Sequence, residues 1–146
     1  MSAAIHLPGI IGVGTDLVEL ARIYQVWEER GESFLSKICL PREQAYIRDH
    51  ARPWERLGGI FAAKEAVSKA FGTGIGEKLG WLDIEVTRSA EGQGTQRVQG
   101  TSAPALQFHG KGAQLACEKN VTQALISISH THEYATAFCV LTSAMS

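Results

Sequence analysis

The sequence predicts an α+β fold in which a largely antiparallel sheet packs against helices in a single domain, residues 1–146. Residues 60–71 place apolar side chains at helical spacing. Residues 124–130 and 134–141 are rich in β-branched and apolar residues, and only three residues separate them. This spacing is typical of a β-hairpin, which joins antiparallel strands. A long helix and a terminal hairpin in one chain therefore favour the α+β class.

The composition indicates which binding partners and which cellular compartment to expect. Lys and Arg number 14 against 15 for Asp and Glu, a formal net charge of -1, which gives no overall attraction to nucleic acid or to a membrane surface. No apolar window reaches transmembrane length, and the start of the chain lacks the basic region of a signal peptide. The 3 cysteines show no Cys-x-x-Cys spacing. We expect a cytoplasmic protein with reduced cysteines that binds no nucleic acid and no membrane.

The first regular element is predicted to be a buried strand over residues 10–18, after an N-terminal extension, residues 1–9. Its β-branched residues favour a strand, and its glycines allow another backbone or a ligand to come close. The Gly-x-Gly pair within it lacks the third glycine of a dinucleotide-binding fingerprint, so a Rossmann site is rejected. Asp16, near the strand end, suits either a helix cap or a ligand.

Helices are predicted to follow this strand. Residues 17–29 show an apolar stripe at helical spacing, and Arg22 lies off that stripe, so we expect it to be exposed. Gly31 is predicted to break this helix before a second short segment, and Pro41 to open another helix that ends near residue 50.

A long helix is predicted from Pro53 to a left-handed glycine cap at Gly72. Glu65 and Lys69 stand together opposite its apolar stripe, and Ala62 beside them is expected to leave room for a ligand. Taken alone, this i,i+4 spacing indicates a solvated ion pair worth about 0.3 to 0.5 kcal/mol. A functional role for Glu65 and Lys69 requires that other parts of the chain contribute residues to the same face of the helix.

The remaining segments complete the sheet. Residues 81–87 and 105–109 alternate as half-buried antiparallel strands, and residues 88–103 between them form a long loop rich in Gly, Gln, Ser and Thr. A short helix is expected over residues 110–119.

Two short motifs are ambiguous by themselves. Gly72-Thr73-Gly74 follows a helix and does not precede one, so a cap with a flexible turn and a direct ligand contact are equally supported. His130-x-His132 offers two metal ligands without a clear third, which is weak evidence for zinc.

Taken together, the motifs resemble the holo-acyl-carrier-protein synthases, a family of 4'-phosphopantetheinyl transferases. The resemblance spans residues 10–141 and rests on several separated motifs in order. They are Gly12-x-Gly14-x-Asp16-Leu17-Val18 with Arg22, Phe61-Ala62-Ala63-Lys64-Glu65-Ala66 with Lys69, Gly72-Thr73-Gly74, and Ser127-Ile128-Ser129-His130-Thr131.

The resemblance implies a reaction. The enzyme would move the 4'-phosphopantetheine group of coenzyme A to a serine of apo acyl carrier protein and release adenosine 3',5'-bisphosphate, in support of fatty acid biosynthesis. It would use Mg²⁺, which takes one or two carboxylates together with waters and substrate phosphate. The family also implies a homotrimer with active sites at the subunit interfaces.

The resemblance also assigns roles to residues. Asp16 and Glu65 match the metal ligands, and Glu65 would also orient a metal-bound water that accepts the serine proton. Lys69 matches the catalytic lysine beside the phosphates, and Arg22 matches a carrier-docking position. The remaining matches fall on the coenzyme A pocket: Lys64, Gly72, His130 and Thr131.

The chain departs from the family at Ile60, where an arginine is common, and Arg56 one turn earlier is a candidate replacement. The predicted loop over residues 88–103 is also longer than the family needs. Two other functions stay open: a metal-dependent phosphoester hydrolase acting on coenzyme A through Asp16, Glu65 and His130 or His132, and a non-catalytic module that binds coenzyme A or carrier protein.

Overall fold

A computed structural model describes residues 9–88 and 103–144 of the chain. Residues 1–8 of the predicted N-terminal extension and nearly all of the predicted loop over residues 88–103 lie outside the described residues. The elements in chain order are β1 (Ile10–Glu19), α1 (Leu20–Ile38), α2 (Pro41–Arg48), α3 (Pro53–Phe71), a 3-10 turn (Trp81–Asp83), β2 (Ile84–Thr87), β3 (Ala105–Phe108), α4 (Gly110–Glu118), β4 (Gln123–His130) and β5 (Tyr134–Thr142).

The strands form two antiparallel sheets, which confirms the predicted α+β class. The larger sheet has the order β1-β5-β4, and the smaller is the two-stranded ribbon β2-β3. The predicted terminal hairpin is confirmed as β4 and β5. Helix α3 packs across β1 and β5, and the hydrophobic core surrounds it. Across residues 9–88 and 103–144, no helix combines the length and the apolar character needed to cross a membrane.

The glycines of β1 let α3 lie directly against the strand. A Cβ at Gly14 would overlap the carbonyl oxygen of Ala66, and a Cβ at Gly12 would overlap that of Ala70. The prediction that these glycines admit another backbone is confirmed. Small residues on both elements therefore set the position of α3 along β1.

The prediction that β1 is buried is wrong for one of its faces. Val13 is 55% exposed and Leu17 is 65% exposed, whereas Gly14 between them is buried. In the described chain β1 pairs only with β5, and α3 covers only one side of the sheet. Alternate residues of β1 consequently face outward.

The first helix also differs from its prediction. Leu17 belongs to β1, and α1 begins at Leu20 and continues without a break through Gly31 to Ile38. A glycine inside a helix costs about 1 kcal/mol. The last two turns bury Leu35 and Ile38, and each large apolar side chain contributes about 1.5 to 3 kcal/mol. Burial therefore outweighs the glycine.

Helix α3 ends as predicted, because Gly72 adopts a left-handed conformation with φ 80°. Its apolar stripe is buried as predicted, but Ala62, expected beside an open ligand face, is fully buried as well. The sheet covers that side of the helix and leaves only a narrow strip of it accessible. The predicted strand over residues 81–87 is shorter than expected, because the Asp83 carboxylate accepts the Gly80 N–H at 2.8 Å and closes the 3-10 turn.

A buried ion pair joins the elements around α3. Lys64 has no exposed surface, and its Nζ donates to Ile38 O at 2.6 Å, to Glu43 Oε1 at 2.8 Å and to Trp81 O at 3.0 Å. The second oxygen of Glu43 accepts the Val86 N–H at 2.8 Å. Every donor and acceptor of the pair is thereby used, as a buried charge requires.

The contact between β1 and α3 leads to a stability prediction. Gly14→Ala should lower the free energy of unfolding by about 1 to 3 kcal/mol or more, because the added methyl group forces the strand and the helix apart. Gly31→Ala is the matched control, since a Cβ there meets nothing within 4 Å and alanine favours the helix by about 0.5 to 1 kcal/mol. Urea denaturation measures both. Equal stability of Gly14→Ala and the parent chain would contradict this account of the packing.

Candidate active site

Asp16 and Glu65 meet because α3 lies so close to β1. Asp16 follows Gly14 by two residues on the strand face that α3 covers, and Glu65 precedes Ala66, whose carbonyl lies over that glycine. Burial and the neighbouring charge of Asp16 raise the pKa of Glu65, while Lys69 acts in the opposite direction. Two carboxylates therefore share a partly buried position where their charges repel each other.

Lys69 pairs with Asp16, which corrects the i,i+4 pair expected from the sequence. Its Nζ lies 3.1 Å from Asp16 Oδ1. The backbone of Asp16 is held by the sheet, because it pairs with Ala137 and its carbonyl accepts the Thr136 hydroxyl at 2.8 Å. Lys69 therefore joins the last turn of α3 to a fixed point on β1.

A cavity of about 560 Å³ opens in front of the two carboxylates. Arg22 lies at its rim on α1 and is exposed, as predicted. Apolar side chains also line this cavity, among them Ile23, Val26, Phe34 and Phe61. The cavity therefore places a strongly polar corner beside a surface that suits an apolar chain or partner.

The donor set suits a hard divalent cation. Asp16 and Glu65 supply carboxylate oxygens, the ligand type that Mg²⁺ prefers, and a cation between them would relieve the repulsion that raises the pKa of Glu65. The described residues contain no group of three or more His, Cys, Asp or Glu placed to hold a metal. Two carboxylates completed by water and substrate phosphate match the usual Mg²⁺ arrangement.

The position of Lys64 does not fit the contact with coenzyme A that was expected from the sequence. Its ammonium is fully buried and makes three hydrogen bonds to protein oxygens, so no donor is left for a ligand. The sequence contained a signal for this burial. Lys64 stands four residues after Ile60 and three before Val67, inside the apolar stripe.

Gly72 is exposed at the end of α3, as its cap role requires, and it lines a separate polar cavity with Thr73. That cavity lies just beyond the end of α3. Gly72 is therefore able both to cap the helix and to contact a ligand in this cavity.

His130 and Thr131 lie at the other edge of the larger sheet. His130 ends β4 and is exposed, and the Thr131 hydroxyl accepts the N–H groups of Glu133 and Tyr134 in the hairpin turn. Strand β5 separates β4 from β1, and neighbouring strands lie about 4.8 Å apart. Within one chain these two residues do not join the carboxylates.

A second cavity, of about 410 Å³, surrounds Ile60. Arg56 donates to Tyr46 O at 2.6 Å, and its guanidinium carbon lies 4.0 Å from the centre of the Tyr46 ring. The Arg88 guanidinium lies 5.3 Å from the same ring, and Arg88 Nε is buried without a hydrogen-bond partner among the described residues.

The carboxylate at this second cavity is already engaged. Glu85 pairs with Arg42 at 3.0 Å and with His109 at 2.8 Å, and these hydrogen bonds hold its pKa low despite its burial. Positive charge therefore remains in excess beside Ile60. Sequence reasoning named Arg56 but missed Tyr46 and Arg88, because no local pattern links α2, α3 and the end of β2.

Comparisons with known proteins identify the family of this chain. The family model of the 4'-phosphopantetheinyl transferase superfamily matches residues 12–139. The holo-acyl-carrier-protein synthase of Chlamydia muridarum is 42% identical over 131 residues, which cover 90% of this chain and 94% of the relative. That of Koribacter versatilis is 40% identical over 132 residues, with 90% and 98% covered.

Solved structures show the same fold. The synthase of Neisseria meningitidis superposes with a TM-score of 0.77 at 29% identity, covering 90% of this chain and 98% of the other. The Helicobacter pylori synthase in complex with coenzyme A gives a TM-score of 0.73 at 29% identity, covering 88% and 98%. The chain therefore belongs to the 4'-phosphopantetheinyl transferase superfamily and, within it, to the holo-acyl-carrier-protein synthases.

Proposed function

We propose that this chain transfers 4'-phosphopantetheine from coenzyme A to a serine of apo acyl carrier protein, releases adenosine 3',5'-bisphosphate, and thereby supports fatty acid biosynthesis in the cytoplasm. The observation that carries the proposal is that Asp16 and Glu65 line one cavity and that Lys69 pairs with Asp16. The coenzyme A in the structures of the Helicobacter pylori and Bacillus anthracis synthases supports the donor substrate.

Asp16 and Glu65 would hold a Mg²⁺ ion. When bound, the ion neutralises charge on the pyrophosphate of coenzyme A. Lys69 would place a second positive charge against the same phosphates, and its side chain reaches Asp16 from the last turn of α3. The residues thus supply what phosphoryl-type transfer requires, namely charge neutralisation and positioning.

The transfer forms one bond and breaks one. The serine oxygen of the carrier attacks the phosphorus that bears the pantetheine arm, and the bond from that phosphorus to the bridging oxygen breaks. Adenosine 3',5'-bisphosphate leaves with the bridging oxygen, and the serine loses its proton. Glu65 would take up that proton through a water molecule, acting as the general base.

The carrier would dock beside the cavity along α1. Arg22 is exposed at the rim, and the apolar wall of Val26, Phe34 and Phe61 lies next to it. A positive rim attracts an acidic partner and sets its orientation. The formal net charge of -1 is no objection, because attraction of this kind is local.

The chain is proposed to work as a homotrimer with shared sites. The outward face of the larger sheet exposes Val13, Leu17, Leu125 and Phe138, between 46% and 65% of each side chain, and such a patch is typical of an interface. The catalytic corner lies at the β1 edge, whereas His130 and Thr131 lie at the β4 edge.

A cyclic assembly would bring the β4 edge of one copy to the β1 edge of the next. The ribbon β2-β3 packs beside β4, so the cations Arg56 and Arg88 lie toward that same edge. In such an assembly they would face the coenzyme A bound at the neighbouring carboxylates. They would then replace the family arginine that is absent at Ile60.

Replacement of Glu65 tests the reaction. Glu65→Gln should abolish carrier modification and leave the fold intact, because an amide neither ligates the metal nor takes up a proton. The raised pKa means that the ionised carboxylate is disfavoured in the folded chain, so the neutral amide does not lower stability. Intact mass spectrometry of an apo carrier, incubated with coenzyme A with and without Mg²⁺, measures the gain of one phosphopantetheinyl group.

Glu28→Gln, on an exposed part of α1, is the control and should modify the carrier normally. Retained transfer in Glu65→Gln would remove Glu65 from the mechanism. If the parent chain left coenzyme A intact and the carrier unmodified, a binding module would be favoured. Coenzyme A cleaved without carrier modification would instead indicate a hydrolase.

Reversal of the charge at Arg22 tests the docking surface. Arg22→Glu should raise the KM for carrier protein about tenfold at low salt, because the rim then repels an acidic partner, and the difference should shrink as salt increases. The dissociation constant for coenzyme A, measured by calorimetry, should stay unchanged. An equal loss of affinity for both substrates would contradict the assignment.

Mixing of two inactive variants tests the shared site. Glu65→Gln and His130→Ala chains should each be inactive alone, and co-expression should restore activity in about a quarter of the sites, because a random cyclic trimer pairs an intact Glu65 with the partner's His130 in that share. Light scattering of the parent chain should give the mass of three copies. No restoration in a confirmed mixed trimer would show that His130 acts within its own chain or not at all.

A further inference from the structure

Lys69 occupies the carboxylate that the metal would use. Its Nζ lies 3.1 Å from Asp16 Oδ1, and this is the ion pair that Lys69 makes within the described residues. The Lys69 side chain is 51% exposed, whereas that of Asp16 is 16% exposed. A metal ion that binds Asp16 would therefore meet a carboxylate whose Oδ1 already has a cationic partner.

We propose that Lys69 is a movable placeholder that leaves Asp16 when the metal binds and then contacts a phosphate of coenzyme A. This inference rests on the proposed function and adds to it a coupling between two ligands. Metal binding would free the ammonium, and phosphate would give the freed ammonium a new partner. The two ligands would then bind cooperatively, each strengthening the other.

Charge is the reason for the exchange. A metal ligated by Asp16 and an ammonium 3.1 Å from the same carboxylate would lie only a few ångströms apart and would repel each other strongly. Asp16, Glu65 and Lys69 together carry one net negative charge. A divalent ion changes that sum to one positive charge, and the phosphates of coenzyme A reverse it again.

The structure gives Lys69 the freedom that this role needs. Its side chain is long, half exposed and located in the last turn of α3, just before the left-handed cap at Gly72. Lys64, one residue before Glu65 on the same helix, is the opposite case. Its ammonium is fully buried, and three acceptors hold it in place. Only Lys69 of this pair is able to exchange partners without disturbing the core.

Titration of the chain with Mn²⁺ alone, without coenzyme A, tests the exchange. Mn²⁺ takes oxygen ligands as Mg²⁺ does, and electron paramagnetic resonance counts the free ion directly. Lys69→Met should bind Mn²⁺ about three- to tenfold more tightly than the parent chain, because the competing ammonium is gone. Lys69→Arg keeps a cation on Asp16 and should bind Mn²⁺ as weakly as the parent chain does.

Addition of coenzyme A tests the coupling. The parent chain should bind Mn²⁺ more tightly when coenzyme A is present, and Lys69→Met should lose most of that gain. A role for Lys69 confined to phosphate contact would leave Mn²⁺ binding unchanged in the absence of coenzyme A. Weaker or equal binding of Mn²⁺ alone by Lys69→Met would therefore overturn the inference.

Arg22→Met is the matched control. Arg22 lines the cavity that holds Asp16 and Glu65, and its removal also deletes one positive charge, but no ion pair joins it to a carboxylate among the described residues. It should change Mn²⁺ binding much less than Lys69→Met does. If both variants changed Mn²⁺ binding equally, overall charge would explain the result and the proposed exchange of Lys69 would be wrong. Transfer by the parent chain is measured separately on the carrier, so the two proposals fail independently.

Discussion

The direct contact between the backbone of α3 and two glycines of β1 is the constraint on which the site depends. A side chain at Gly12 or Gly14 would overlap the carbonyls of Ala70 and Ala66. Because helix and strand touch without side chains between them, Glu65 lies beside Asp16 at a distance where their charges interact. A wider spacing would separate the carboxylates and remove the reason for a metal to bind there.

The two lysines of α3 show how burial assigns opposite tasks to one residue type. Lys64 ties α1, α2 and the 3-10 turn to the helix, and its charge is fully satisfied by protein oxygens. Lys69, five positions later, reaches Asp16 from solvent and keeps half of its surface exposed. A buried cation is costly to move, whereas an exposed one exchanges partners at little cost. One helix thus carries a lysine that stabilises the fold and, in the next turns, a lysine that is proposed to act on the substrate.

The larger sheet separates the proposed site into two halves. Asp16 lies on its β1 edge with Glu65 of α3 beside it, whereas His130 ends β4 at the other edge. Its outer face exposes the apolar residues Val13 and Phe138 beside small polar ones such as Ser127. The proposed cyclic assembly would cover this face and join the two edges. The absent arginine at Ile60 is then a local change, because Arg56 and Arg88 offer positive charge in the same cavity.

The sequence by itself determined the α+β class, the terminal hairpin and the glycine cap of α3, because periodicity and motif spacing are local properties of a chain. It also named Asp16, Arg22, Glu65 and Lys69 as candidates, and the structure brings Asp16, Glu65 and Lys69 together. It misassigned Gly31, Ala62 and Lys64, and it paired Lys69 with Glu65. Those outcomes depend on burial and on contacts between distant segments. Only the tertiary structure decided that Lys64 is internal and that Lys69 meets Asp16, since the free energy of a charge is set by what surrounds it.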